Sequence, residues 1–66
     1  MLIIQDDMWR SECIAAIGWS DEDAELQIYP LNCENYVGYL WPTREQAEQA
    51  REEIMAEWNS DLNKTN

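Results

Sequence analysis

Around Trp41-Pro42-Thr43 the spacing of apolar residues changes from two positions to between three and four, and this change restricts the chain to a sheet followed by a helix. Upstream, Cys13, Ala15, Ile17 and Trp19 share one register, as do Ala24, Leu26 and Ile28, and again Val37, Tyr39 and Trp41. Alternation of this kind marks half-buried strands. The intervening SDED and PLNCEN segments carry the Ser, Asp, Pro and Asn of turns, so residues 13 to 41 are predicted to form an antiparallel meander. MLIIQ is a candidate for one more edge strand. Ser20 and Asp23 also fit the start of a short helix over Asp21 to Gln27. The hairpin is the better reading, because Leu26, Ile28 and Pro30 leave such a helix little room and a poor apolar face.

Downstream, Thr43 and Gln46 form a capping box, Glu45 sits in the first turn, and Pro42 holds Trp41 extended outside it. The predicted helix runs from Thr43 to Trp58 or Asn59 and frays into SDLNKTN. On a helical wheel Ala47, Ala50, Ile54 and Trp58 make a narrow apolar stripe, opposite Glu45, Glu48 and Glu52, with Glu53 to one side. Two alanines at the start of that stripe favour close approach to a flat sheet. Arg44 and Arg51 border the stripe beside Trp58, where their stems can cover apolar surface and their heads can pair with Glu48.

The expected architecture is therefore α+β: a small antiparallel sheet of three to four strands packed on one C-terminal helix. With 66 residues there is material for one core, read as a single acidic domain over residues 1–60 and a polar tail over 61–66. Asp6 and Asp7 stand where a signal peptide would be basic, and the first apolar run stops at Ile4, so a cytoplasmic setting is expected. In that compartment Cys13 and Cys33, twenty residues apart with no CxxC and no histidine, are expected to be reduced and packed as small apolar groups. A cross-strand disulfide is the alternative in an oxidising compartment.

Fourteen acidic residues against four basic ones give a net charge of −10. Direct contact with nucleic acid or an anionic membrane is disfavoured, since both require clustered Lys and Arg. A protein partner with a basic surface fits this charge better, and a homodimer is compatible with the same composition.

Chemistry is sparse. There is no histidine to activate Cys13 or Cys33, and a domain of this size seldom builds the cleft that separates the pKa values of paired carboxylates. GxxxxGK, GxGxxG, GxSxG and HExxH are all missing. The chain is read as non-catalytic, with no cofactor. DEDAELQIYPLN lacks the central glycine and terminal glutamate of a calcium loop, which leaves Asp21 and Asp23 as a weak surface site at most.

Four tryptophans and three tyrosines, with no phenylalanine, give every aromatic ring a polar handle suited to a boundary between dry and wet. Trp19, Trp41 and Trp58 lie in core-facing registers. Trp9, in the polar segment DDMWRSE, is the candidate exposed anchor, and Tyr36 lies with Leu40 on the strand face opposite Tyr39. The candidate partner-binding residues are Trp9, Asp21, Glu22, Asp23, Glu25, Tyr36, Glu45, Glu48, Glu52 and Glu53.

In size, acidity and lack of catalytic residues the chain resembles the small phage-encoded anti-defence proteins, such as anti-CRISPR and anti-restriction inhibitors. That resemblance implies an inhibitor that blocks a basic nucleic-acid-binding groove by charge mimicry. The alternative is a non-catalytic accessory or assembly subunit, in which aromatic sheet surface matters more than charge.

Overall fold

In the computed structural model, which describes residues 1–64, five strands precede one long helix. β1 (Leu2–Ile4) and β2 (Asp7–Trp9) form a two-stranded hairpin. A short 3-10 turn (Ser11–Cys13) leads into β3 (Ile14–Ser20), β4 (Glu25–Pro30) and β5 (Val37–Tyr39), an antiparallel sheet in the order β3-β4-β5. The helix α1 (Arg44–Asn63) closes the described chain. The expected α+β class, sheet and C-terminal helix are present.

Two cross-strand rows set the core face of the sheet. Ile17 faces Ile28, which faces Val37, and Trp19 faces Leu26, which faces Tyr39. Leu26 and Ile28 on the central strand are wholly buried at 0% exposure, each such side chain contributing about 1.5–3 kcal/mol. Ala47 and Ile54 of α1 cover this face, with Trp19, Trp41 and Trp58 packed around it. Ala47 is wholly buried, as the close approach expected of the alanines requires.

The stretch 21–24 is a turn joining paired Ser20 and Glu25, so the hairpin forms and the short helix does not. Ala24 ends that turn at φ 52. MLIIQ does supply a strand, although it pairs with residues 7–9 rather than with the main sheet. Leu2 and Ile4 point into the core while Ile3 faces out. Gln5 (φ 48) and Asp6 (φ 75) form the two-residue link, both left-handed as the natural twist of such hairpins demands.

The start of β3 and the end of α1 differ from expectation. The first concerns the start of β3, where Ile14 lies opposite Pro30 and Ala16 opposite Tyr29, so Ala15 is an extra residue in a bulge. The bulge shifts the alternation. Ile14 is buried in place of Cys13 and Ala15, and both Cys13 and Cys33 are exposed free thiols rather than packed apolar groups.

The second is the helix end. Thr43 caps the helix as predicted, its Oγ1 accepting from the Gln46 amide at 3.1 Å, but the helix continues to Asn63 instead of fraying after Asn59. Asp61 holds that last turn, accepting from Ser11 Oγ at 2.5 Å and from the Met1 ammonium. Residues 65 and 66 of the expected tail lie outside the described residues. Among the described residues no helix is long and apolar enough to cross a membrane.

Candidate interaction surface

The acids of the SDED turn and those of α1 meet through Arg44. Its guanidinium donates to Asp21 Oδ1 at 3.2 Å and to the Asp21 carbonyl at 2.5 Å, and lies 3.9 Å from Glu48. Two turns further along α1, Arg51 lies over the Trp19 ring, 4.9 Å from its centroid. Trp19 belongs to β3, so the flank of α1 carrying Arg44 and Arg51 overhangs that strand. Arg44 lies within pairing distance of Glu48 and Arg51 covers the apolar Trp19 ring, as expected of the two arginines. Trp58 donates its indole N–H to the Ser11 carbonyl at 3.1 Å.

Outward from these arginines, Glu45, Glu48 and Glu52 lie exposed at helical spacing, successive carboxylates about 4.5 and 6 Å apart along the axis. Glu22 and Asp23 are exposed at the tip of the turn. The structure thus brings Asp21, Glu48 and the row around Glu48 onto one side of the molecule.

Other candidates lie elsewhere. Leu26 points into the core, so its neighbour Glu25 occupies the opposite face of the sheet, where it accepts from Gln27 Nε2 at 2.9 Å. Glu53 sits on the other flank of α1, beside Leu2, Ile3 and Ile54, and accepts from Gln49 at 3.4 Å. Tyr36 is exposed and its ring packs against Tyr29 at 5.4 Å. Tyr29 in turn donates its hydroxyl to Gln27 Oε1 at 3.1 Å. Gly18 and Gly38 flank Gln27 in this face. A Cβ on Gly18 would come within 3.1 Å of Gln27 Oε1 and the Tyr29 ring, so the glycine lets these side chains lie flat on the sheet.

Trp9 is not the exposed anchor that its polar surroundings suggested. It is half-buried, and its indole N–H donates to Tyr39 Oη at 2.9 Å, while the Tyr39 hydroxyl donates to Asp7 Oδ2 at 2.6 Å. This network joins β2 to β5. Burial, followed by the bond to Asp7, raises the Tyr39 pKa above its ordinary 10.0. The Met1 ammonium, and then Ser11, hold the Asp61 carboxyl below its ordinary 3.8. Ser11 and Asp61 were not singled out in the sequence, since nothing local marks a serine and an aspartate fifty positions apart as partners.

Among the described residues no three carboxylates or thiols converge where a metal ion could be held. The exposed carboxylates of α1 and the 21–23 turn lie on the flank of the helix that overhangs β3. In comparison with known proteins, no protein family, no curated protein and no solved structure matches this chain.

Proposed function

We propose that the protein is a non-catalytic binding module whose acidic surface occupies a basic groove of a partner protein, as an inhibitor of the anti-defence kind would. The observation that carries this reading is the placement of Glu45, Glu48 and Glu52 in an exposed row, continuous through Arg44 with the Asp21 turn. Duplex DNA presents one negative charge per ~1.7 Å of axis, and carboxylates fixed along one side of a helix can compete for the same Lys and Arg side chains. The net charge of −10 adds long-range attraction to such a groove and repels nucleic acid itself.

The test is capture of partners from lysate by tagged protein and by a Glu45→Gln/Glu48→Gln/Glu52→Gln variant, at low and high salt, with a competing DNA duplex in a parallel arm. A nucleic-acid-binding protein retained by the wild type, lost with salt or DNA and not retained by the variant supports the reading. Equal retention by the variant contradicts it.

A second reading, an accessory or assembly subunit, draws on the N-terminal hairpin. Ile3 and Met8 face each other across β1 and β2, and each is 68% exposed. Partners held there would survive high salt and would be lost in an Ile3→Ser/Met8→Ser variant.

A further inference from the structure

We infer that the outer edge of β3 is a strand-docking site for an extended segment of the partner, with small or apolar residues in its middle and basic residues at the end beside the Asp21 turn. This rests on the acidic-surface reading above and specifies the element through which such a partner would engage.

The three-stranded sheet has two edges, and they differ. β5 is three residues long, and its vicinity is occupied by the N-terminal hairpin: Gln5 Nε2 donates to the Leu40 carbonyl at 2.5 Å, and Trp9 and Asp7 engage Tyr39. β3 is seven residues long and, among the described residues, pairs only with β4. An edge strand presents a row of unpaired N–H and C=O groups, a ready template for one more strand. Natural proteins blunt such edges with Lys, Pro, short length or a bulge. β3 has a bulge at Ala15 only, which leaves Ala16 to Ser20 regular against β4, a span of about 17 Å.

Charge distinguishes this edge from the rest of the surface. Residues 13 to 20, CIAAIGWS, contain no charged side chain in a chain of which 27% is charged. Asp21, Glu22 and Asp23 follow at once, while at the other end Glu12 has Arg10 nearby. The flank of α1 that overhangs β3 carries Glu48 and Glu52 around Arg51. A strand laid along β3 would thus meet a neutral edge at its centre, Asp21, Glu22 and Asp23 around Arg44 at one end, and Glu48 and Glu52 around Arg51 above it, an excess of carboxylates at both places. Small or apolar residues suit the neutral edge, and Lys or Arg the carboxylates. Main-chain bonds would supply affinity and the terminal charges the direction of docking. A second copy of the chain is a poor occupant, because it would bring another −10 against the same acids.

The test uses synthetic peptides and the unmodified, isotope-labelled protein. The probe is a seven-residue peptide of alternating Thr and Val followed by two lysines. Its controls are the same peptide with alternate backbone amides N-methylated, and one with glutamates in place of the lysines. The expected result is amide shift changes at Ala16 to Ser20, with binding weakened at least about tenfold by N-methylation, which removes main-chain donors, and at least about tenfold by Lys→Glu. Binding indifferent to N-methylation, with shifts confined to the turn and α1, overturns the docking edge and leaves the acidic-surface reading standing. Docking on β3 that ignores Lys→Glu overturns the basic requirement and the reading beneath it. Absence of binding at millimolar peptide, or sedimentation showing that a second copy occupies β3, overturns the inference.

Discussion

The Arg44 guanidinium holds the carbonyl of Asp21 at 2.5 Å and its carboxylate at 3.2 Å, across 23 positions of sequence. This contact joins the start of α1 to the β3–β4 turn, and it places a cation among the acids proposed to face a basic partner. Both side chains are solvent-exposed, at 48% for Arg44 and 87% for Asp21, so the ion pair contributes little to stability. Arg44→Ala is expected to change unfolding free energy by no more than about 1 kcal/mol in urea titration, while tightening binding to a basic partner by freeing Asp21 and Glu48. Weaker binding from a folded variant would assign Arg44 a direct contact with the partner.

Tyr39 is 5% exposed and serves as donor to Asp7 and acceptor from Trp9. Tyr39→Phe is expected to cost about 1–2 kcal/mol, because two polar groups lose a shared partner where water has limited access. Loss of this bridge should loosen the N-terminal hairpin first, visible as faster amide exchange in residues 2–9. The folded-state pKa is raised above 10.0, so the folded protein retains the phenolic proton longer than the unfolded chain. The resulting stability is complete below that ordinary value and is lost as pH rises through the raised one. Tyrosinate absorbance should show this late-titrating group in the wild type and not in the variant.

Asp61 has the opposite sign. Its carboxyl is held below 3.8 by the Met1 ammonium and Ser11, so its contribution is present above that value and disappears as pH falls through the lowered one. The stability difference between wild type and Asp61→Asn is expected to be largest near neutrality and to shrink on acidification below 3.8. Urea titrations across that range check it, and a constant difference would show that the charge on Asp61 is immaterial.

Ala24 adopts φ 52, a left-handed conformation that costs a residue with a Cβ about 1 kcal/mol or more. Ala24→Gly is expected to stabilise the protein by about 0.5–1 kcal/mol after the greater freedom of glycine in the unfolded chain is counted. Thermal denaturation checks this. A fall in melting temperature would mean that the Ala24 methyl contributes more to packing than its backbone strain costs.

The helix and the central strand were legible because their signals are local. Thr43 and Gln46 mark the start of α1, and the alternation of Leu26 and Ile28 marks the buried face of β4. What escaped depends on shifts or partners that a local pattern does not carry. The bulge at Ala15 exchanges Ile14 for Cys13 at the core, and a one-residue slip reverses every side chain before it. The Gln5-Asp6 link has the left-handed geometry of a tight hairpin without the Asn-Gly that usually announces it. Without that hairpin, Trp9 in its polar setting looks exposed and Tyr39 has no visible partner. The candidate acids were identifiable by type, but their grouping was not, since Glu25 was divided from Asp21 by strand facing and Glu53 from Glu48 by helix phase.

The most direct test of the acidic surface is the affinity of a captured partner for the wild type and for Glu45→Gln/Glu48→Gln/Glu52→Gln, measured across a salt series with circular dichroism confirming that both are folded. Binding led by these carboxylates should fall steeply with salt in the wild type and be weak at every salt concentration in the variant. Equal affinity of the two proteins, with a shallow salt dependence, would contradict a role for the acidic surface and direct attention to Ile3 and Met8.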